Sequence, residues 1–178
     1  REIDKAGEKI GIKIFHGAEV DIRADGRLDL NNECLKNLDI VFASLHSAIK
    51  RPGEMNTSRI IKAMENPHVD IIAHPTARLI DQREGADLDM QKIIRKAVET
   101  NTCLEIDAYP NRLDLNDANA RAAAEAGCKL AIDTDAHSIE HLRFMRLGVG
   151  TARRAWCEKK DIINTLPLGK LLKLFDIK

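Results

Sequence analysis

The stretch Asp39-Ile-Val-Phe-Ala-Ser-Leu-His46 is a short apolar run, rich in β-branched residues, that ends in a histidine. The stretch Val69-Asp-Ile-Ile-Ala-His74 repeats that pattern further along the chain. Apolar runs of this length, bounded by polar turns, are typical of strands buried in a parallel sheet. The C-terminal ends of parallel strands meet at one edge, where active sites of α/β proteins form. These two stretches therefore predict the fold and the position of a site together.

Three further runs of the same kind complete a set of five predicted strands, at residues 12–20, 39–45, 69–73, 102–106 and 129–133. Helical patterns fill the gaps, at residues 3–10, 57–66 with Asn56 as cap, 88–100, 117–126 with Asn116 as cap, 139–147, 159–166 and 168–175. Residues 21–32 are predicted to form a loop or short hairpin. This alternation predicts an α/β fold with a parallel sheet. Five strands are too few for an eight-stranded barrel, so the sheet is either open or part of a barrel whose first strands lie upstream.

Composition indicates one globular domain over residues 1–178, because 44% of the residues are hydrophobic and 31% are charged. Lys plus Arg and Asp plus Glu both number 28, so the chain has no overall positive field to attract nucleic acid. Any contact with DNA must then come from a local patch. Aromatic residues make up only 3%, which argues against a stacking platform for single strands.

The four cysteines, Cys34, Cys103, Cys128 and Cys157, form no C-x-x-C pair, which disfavours a cysteine zinc site. Cys103 and Cys128 lie in apolar runs and are predicted to be buried. Nothing resembles a signal peptide, and no apolar run reaches membrane length, so a cytoplasmic location without membrane contact is expected. The chain opens on a helical pattern without Met, and we expect further residues upstream.

Every predicted strand delivers a histidine or a carboxylate at its C-terminal end. Imidazole nitrogens and carboxylate oxygens bind zinc, manganese and iron, and a ligand set without cysteine suits a catalytic site that keeps a position open for water. Two metals ~4 Å apart can clamp the attacking and leaving oxygens of a phosphate ester. Glu19 is placed to bridge them, and Asp135 and His137 point to the same side of an extended segment. The predicted ligands are Glu19, His46, His74, Asp135 and His137.

Other polar residues receive weaker roles. His16, His68 and His141 lack the strand-end position and are predicted to be structural or surface residues. Asp133 is predicted to cap or orient its neighbours, whereas Glu105 and Asp107 suit hydrogen bonding as well as metal binding. Among the arginines of the same edge, Arg78 and Arg112 are the best candidates to hold phosphate.

At these residues the sequence resembles the PHP (polymerase and histidinol phosphatase) superfamily, and above all the PHP domain at the C-terminal end of bacterial and archaeal family X DNA polymerases. The resemblance covers nearly the whole chain. It is carried by Gly17-Ala-Glu-Val-Asp-Ile22, Ala43-Ser-Leu-His-Ser47, residues 65–76, residues 104–106, 111–115 and 122–127, Asp133-Thr-Asp-Ala-His-Ser138, and residues 145–154. It implies a distorted seven-stranded, TIM-like β/α barrel, here lacking its first strands, with up to three metal ions. The same five predicted ligands match the family's motifs.

The family's first motif, a His-x-His pair, is absent and is expected upstream of Arg1. We therefore expect this chain to supply about half of the ligands, to bind metal less tightly and to react more slowly than a complete domain. Asp107 stands where the family is expected to have Asn.

The resemblance implies a manganese- or zinc-dependent phosphodiesterase that acts as a 3′–5′ exonuclease on DNA. Its partners would be DNA 3′ ends and the upstream polymerase domain of the same polypeptide, and its role would be DNA repair. Two alternatives stay open. One is a phosphoesterase of the histidinol-phosphatase type, and the other is a non-catalytic PHP module that supports a polymerase.

Overall fold

The computed structural model describes residues 2–177, in which five parallel strands form one sheet. The strands are β1 (Gly17–Asp21), β2 (Ile40–Ser44), β3 (Ile71–Ile72), β4 (Cys103–Asp107) and β5 (Leu130–Asp133). They lie side by side in chain order, and every neighbouring pair is parallel. All five C-terminal ends therefore meet at one edge. The predicted α/β class is confirmed, while the seven-stranded barrel stays a prediction because the described residues provide five strands.

Helices connect the strands and cover the sheet. They are α1 (Glu2–Ile10), α2 (Asn32–Leu35), α3 (Gly53–Met64), α4 (Met90–Thr100), α5 (Asp117–Glu125), α6 (Met145–Arg154) and α7 (Leu168–Leu174), with 3-10 helices at Ile139–Phe144 and Ile163–Thr165. The predicted cap of α5 is confirmed, since Asn116 Oδ1 accepts a hydrogen bond from the Asn119 amide at 2.8 Å. None of the helices within residues 2–177 combines the length and apolarity needed to cross a bilayer.

The sheet is buried from both sides, as its apolar strands predict. The larger core lies against α3 to α6 and includes Ile60, Ile93 and Ile106. A smaller core on the other face contains Ile71 and Cys103, with Leu171 of α7 and the adjacent Phe175 packed against it. Every residue of β4 is buried, so this strand, which lies between β3 and β5, holds the site edge in a fixed position.

Several predicted elements were wrong in extent or type. The strand predicted at 12–20 begins only at Gly17, because the Asp39 side chain accepts from the His16 amide at 2.8 Å and the approach is a loop. The helix predicted at 57–66 begins at Gly53, after Pro52. Asn56 is therefore no cap. It is buried inside the helix and donates to the carbonyl of Ile49 at 2.8 Å.

The helix predicted at 159–166 is reduced to the 3-10 turn Ile163–Thr165, because this segment runs along the open edge of β5. The Leu130 amide donates to the Asp161 carbonyl at 2.8 Å. The Asn164 side chain makes two bonds of 2.8 Å with the amide and carbonyl of Ile132. These contacts satisfy backbone groups that a sheet edge otherwise exposes. The helix predicted at 139–147 divides into the 3-10 helix Ile139–Phe144 and α6.

Candidate metal centre

Glu19, His46 and His74 converge at the C-terminal edge of the sheet. Glu19 lies in β1, and each histidine stands two residues beyond its strand, β2 or β3. Glu19 Oε1 is 2.8 Å from His74 Nε2 and 3.3 Å from His46 Nε2. One ligand atom from each residue lies within 4.8 Å of the other two. One carboxylate and two imidazoles at this spacing form a set of donors that suits a single divalent metal ion.

Asp21 orients one of these imidazoles. Its Oδ1 lies 2.5 Å from His46 Nδ1, so the other ring nitrogen faces Glu19. A carboxylate on the far nitrogen of a metal-binding histidine fixes its tautomer and raises its basicity. Glu19 and Asp21 share one side of β1 because side chains two residues apart in a strand point the same way. Asp21 was not among the predicted site residues, although the Glu19-x-Asp21 spacing was the available signal.

His74 is the most constrained of the three residues. Its side chain is only 2% exposed, and its backbone adopts a left-handed conformation with φ of 65°. Such a conformation strains a non-glycine residue and occurs preferentially at functional sites. Its Nδ1 has no hydrogen-bond partner within the described residues, and its Nε2 makes the 2.8 Å contact with the Glu19 carboxylate. Buried polar atoms are almost always satisfied, so a buried ring whose Nδ1 lacks a partner and whose Nε2 faces a carboxylate fits a ligand role.

Electrostatic interactions within the cluster favour an ionised Glu19 and a protonated His46. Burial opposes ionisation of Glu19, but the adjacent imidazoles of His46 and His74 outweigh it and keep the pKa of Glu19 well below its usual range. The bond to Glu19, together with Asp21, raises the pKa of His46 to about 9 despite its desolvation. A divalent cation would replace the proton on His46 as the partner of these carboxylates.

Asp135 and His137, the other two predicted ligands, lie beside this cluster. Asp135 lines the same cavity of about 260 Å³ as Glu19 and His74. Its backbone, with φ of 45°, is left-handed like that of His74. The side chain of His137 is 74% exposed, and its Nδ1 lies 2.7 Å from the Asp135 carbonyl. The structure thus brings Asp135 to the cavity and leaves His137 at its outer rim.

Three buried carboxyl groups, Glu105, Asp107 and Asp114, and the half-buried Asp133 form the floor beneath the site. Burial, with the nearby charge of Asp133, raises the pKa of Glu105 well above its usual range. Burial also raises the pKa of Asp107 to about 7. The predicted orienting role of Asp133 is supported, because its Oδ1 accepts from the Asp135 amide at 3.1 Å. Asp114, which sequence reasoning missed, binds Thr76 beside His74.

The two candidate phosphate-binding arginines have different surroundings. Arg78 donates from Nε and one Nη to the carbonyls of Arg112 and Leu113, and so holds the loop after β4. Arg112 Nε lies 3.3 Å from Asp107 Oδ2 and 3.8 Å from Asp135 Oδ2. One nitrogen of Arg112, Nη1, is buried without a hydrogen-bond partner in the described residues. Arg112 is therefore the arginine that joins the floor to the cavity.

The remaining histidines and the cysteines lie outside the cluster, as predicted. The His16 amide binds Asp39, and His68 lies near the opposite end of the sheet before β3. All four cysteines are free. Burial raises the pKa of the Cys103 and Cys128 thiols to about 12, so both behave as small apolar residues.

The fold and the site define a parallel α/β protein with a histidine–carboxylate centre at its strand ends. Several known proteins are similar to this chain in sequence. The DNA polymerase/3′-5′ exonuclease PolX of Bacillus subtilis (strain 168) is 44% identical over 169 residues, which are 94% of this chain and 30% of PolX. A probable phosphatase of Thermoanaerobacter sp. (strain X514) is 38% identical over 92% of the chain and 69% of its own length. A probable phosphatase of Clostridium novyi (strain NT) is 39% identical over 54% of the chain and 38% of its own length.

No protein-family profile matches the chain. The relatives nevertheless decide the assignment, because the identity to PolX and to the Thermoanaerobacter phosphatase extends over more than nine-tenths of the chain. The chain belongs to the PHP family, in the form that family X DNA polymerases carry. It spans less than a third of the length of PolX.

Proposed function

We propose that this chain is a divalent-metal-dependent phosphodiesterase that acts as a 3′–5′ exonuclease on DNA, in association with a family X DNA polymerase in DNA repair. The observation that carries the proposal is the cluster of Glu19, His46 and His74, in which the buried His74 turns Nε2 toward Glu19 and leaves Nδ1 without a hydrogen-bond partner among the described residues. PolX, which shares 94% of this chain at 44% identity, is named as a polymerase and a 3′-5′ exonuclease.

Manganese or zinc fits the donor set, since imidazole suits both and carboxylate accepts either. A bound metal ion polarises a phosphoryl oxygen and lowers the pKa of a bound water. Glu19, His46, His74, Asp135 and His137 are the residues proposed to hold up to three such ions in a complete domain. Asp21 keeps the His46 ring in place at 2.5 Å, and the Asp133 carboxylate holds the Asp135 amide at 3.1 Å.

Arg112 is the proposed phosphate contact. It lies between Asp107 and Asp135, and its Nη1 has no hydrogen-bond partner in residues 2–177. A guanidinium beside the cavity is suited to bind phosphate oxygens. The two donors of Arg78 already bind backbone carbonyls, so a phosphate contact is better supported for Arg112 than for Arg78.

A second candidate function is hydrolysis of a small phosphomonoester, as in phosphatases of the histidinol-phosphate type. It is favoured by the Thermoanaerobacter relative, which is named a probable phosphatase and 69% of which this chain covers. A purely supporting module is less favoured, because a scaffold does not need a buried, left-handed histidine that points Nε2 at a carboxylate and leaves Nδ1 unpaired among the described residues.

The test is hydrolysis of a 5′-labelled single-stranded oligonucleotide with added manganese, beside histidinol phosphate as the monoester. We expect stepwise shortening from the 3′ end, which EDTA abolishes and the variant His74→Ala lacks. The matched control is His68→Ala, which removes an imidazole far from the cluster and should retain the rate. Release of phosphate from histidinol phosphate without shortening of the oligonucleotide would favour the second candidate function, phosphomonoester hydrolysis, over the exonuclease. Shortening by His74→Ala at the rate of the unaltered chain would overturn the site.

A further inference from the structure

Tyr109, His141 and Phe144 form a cluster of three rings at the strand-end edge of the sheet. The ring centroids of Tyr109 lie 5.1 Å from His141 and 5.6 Å from Phe144, both edge-on. His141 and Phe144 stack at 5.4 Å with only 28° between their planes. The three side chains are half-buried, so part of each ring faces solvent. The chain has one tyrosine and four phenylalanines, and two of these five rings meet here.

This ring cluster adjoins the candidate metal centre through named contacts. His141 Nδ1 accepts a hydrogen bond from the His137 amide at 3.2 Å, and the His137 ring in turn contacts the Asp135 carbonyl. On the other side, the Tyr109 amide donates to Asp107 at 2.6 Å. The cluster is thus fixed to the ends of β4 and β5 through Asp107 and Asp135, and Asp135 lines the cavity of the metal centre.

A cationic side chain stands over the same rings. The Arg143 guanidinium lies 5.6 Å from the centroid of Phe144, and its side chain is exposed on the 3-10 helix Ile139–Phe144. Flat apolar rings flanked by a solvated arginine match the two parts of a nucleotide, because bases stack on aromatic faces and phosphates attract guanidinium.

We propose that Tyr109, His141 and Phe144 form the subsite that stacks the terminal base of the nucleic-acid strand, with Arg143 beside its phosphate backbone. This inference rests on the proposed function, because it names the part of the DNA substrate that the surface beyond the metal centre receives. The low aromatic content argues against an extended platform, and a single base needs no more than these rings.

The competing explanation is that the rings only pin the 3-10 helix to the loop after β4. The two explanations differ in one respect. A packing role weakens the reaction of every substrate equally, whereas a stacking role acts only on substrates that possess a terminal base.

The test compares two oligonucleotides that differ at the 3′-terminal residue, which is adenosine in one and an abasic tetrahydrofuran residue in the other. With manganese, the unaltered chain should prefer the adenosine end in kcat/KM. Tyr109→Leu and Phe144→Leu should each lower that preference about tenfold, the loss expected for one stacked base. Trp156→Leu is the matched control, because it removes an exposed ring outside the cluster and should leave the preference unchanged. Equal losses on both ends in Tyr109→Leu and Phe144→Leu would overturn the subsite.

A second measurement separates this inference from the proposed hydrolysis. In EDTA, an oligonucleotide with 2-aminopurine at its 3′ end should lose fluorescence on binding the chain, and Tyr109→Leu should restore it. If the fluorescence is quenched but no hydrolysis occurs in manganese, the proposed exonuclease activity is wrong and the proposed base subsite is supported. If hydrolysis occurs but the fluorescence is not quenched, the proposed base subsite is wrong and the proposed exonuclease activity is supported.

Discussion

Glu19 Oε1 lies 2.8 Å from His74 Nε2, although Glu19 lies in β1, His74 follows β3, and β2 separates these strands. The parallel, in-order sheet makes this contact possible, because every strand ends at the same edge. The left-handed turn at His74 then aims the buried ring toward β1. A ligand set held by buried strands and a strained turn is preorganised, and that is the property a catalytic metal site requires.

The packing of α6 against the site strands can be tested at two glycines. A Cβ atom at Gly148 would lie 2.5 Å from Ile132 Cγ2 and 2.9 Å from Ala108 Cβ. Gly148→Ala should therefore lower the free energy of unfolding by about 1–3 kcal/mol. At Gly150 the nearest atom of a neighbouring side chain lies 3.8 Å away, so Gly150→Ala should raise stability by about 0.5–1 kcal/mol through helix propensity. Urea unfolding measures the stability of both variants. Equal effects of the two substitutions would contradict the close packing of α6 at Gly148.

Arg78 is predicted to stabilise the loop after β4. Its guanidinium donates to two backbone carbonyls, so Arg78→Ala should cost about 2 kcal/mol and lower Tm by several degrees. The control is Arg121→Ala, which removes an exposed helical ion pair and should change stability by less than about 0.5 kcal/mol. Unchanged stability with a raised KM for the phosphate substrate would instead assign Arg78 to substrate binding.

Asp70 gives the protein a pH dependence that is independent of the metal centre. Burial raises the pKa of Asp70 to about 6, although its Oδ2 accepts from the Val41 amide at 2.8 Å. The folded state therefore holds this proton more tightly than the unfolded chain, and the contribution of Asp70 to stability falls as pH rises from about 4 to 6. Asp70→Asn should match the unaltered chain at pH 4 and exceed it by about 1–2 kcal/mol at pH 7, after allowing for partial exposure. Chemical unfolding at pH 4 and pH 7 measures this difference in stability. An Asp70→Asn variant that is less stable than the unaltered chain at pH 7 would contradict the raised pKa of Asp70.

Metal affinity should rise with pH. The pKa of His46 is about 9, so at neutral pH a metal ion must displace a proton from that ring. We expect affinity for manganese to increase about tenfold per pH unit between pH 6.5 and 8.5, with one proton released. Calorimetry in buffers of different ionisation enthalpy measures the proton count. Asp21→Asn removes one of the carboxylates that raise the pKa of His46 and should flatten the slope. A pH-independent affinity would show that the metal does not bind His46.

The strand ends could be predicted from the sequence, because short apolar runs and the histidines after them are local features. His46 and His74 followed directly from this pattern. The loop before β1 could not be predicted in the same way, because the apolar residues of 12–16 satisfy the same pattern as a strand. In the structure the His16 amide binds the side chain of Asp39, a partner distant in sequence, and the sheet pairing begins at Gly17.

The roles of polar residues depended most on tertiary contacts. Arg78 and Arg112 look alike in sequence, yet one holds backbone carbonyls and the other faces two carboxylates. Asn56 has the chemistry of a helix cap, but it lies inside α3 and binds the preceding loop. Side chains with several donors take their partner from the fold, so residue type alone leaves these roles open.

The most direct test of the account is the position of the metal in crystals grown with manganese, recorded by anomalous scattering at the manganese absorption edge. The account predicts a peak bounded by a Glu19 oxygen and a ring nitrogen from each of His46 and His74, at roughly 2.0–2.3 Å from each ligand atom. A strong peak elsewhere on the chain, with these three side chains still in direct contact, would contradict it.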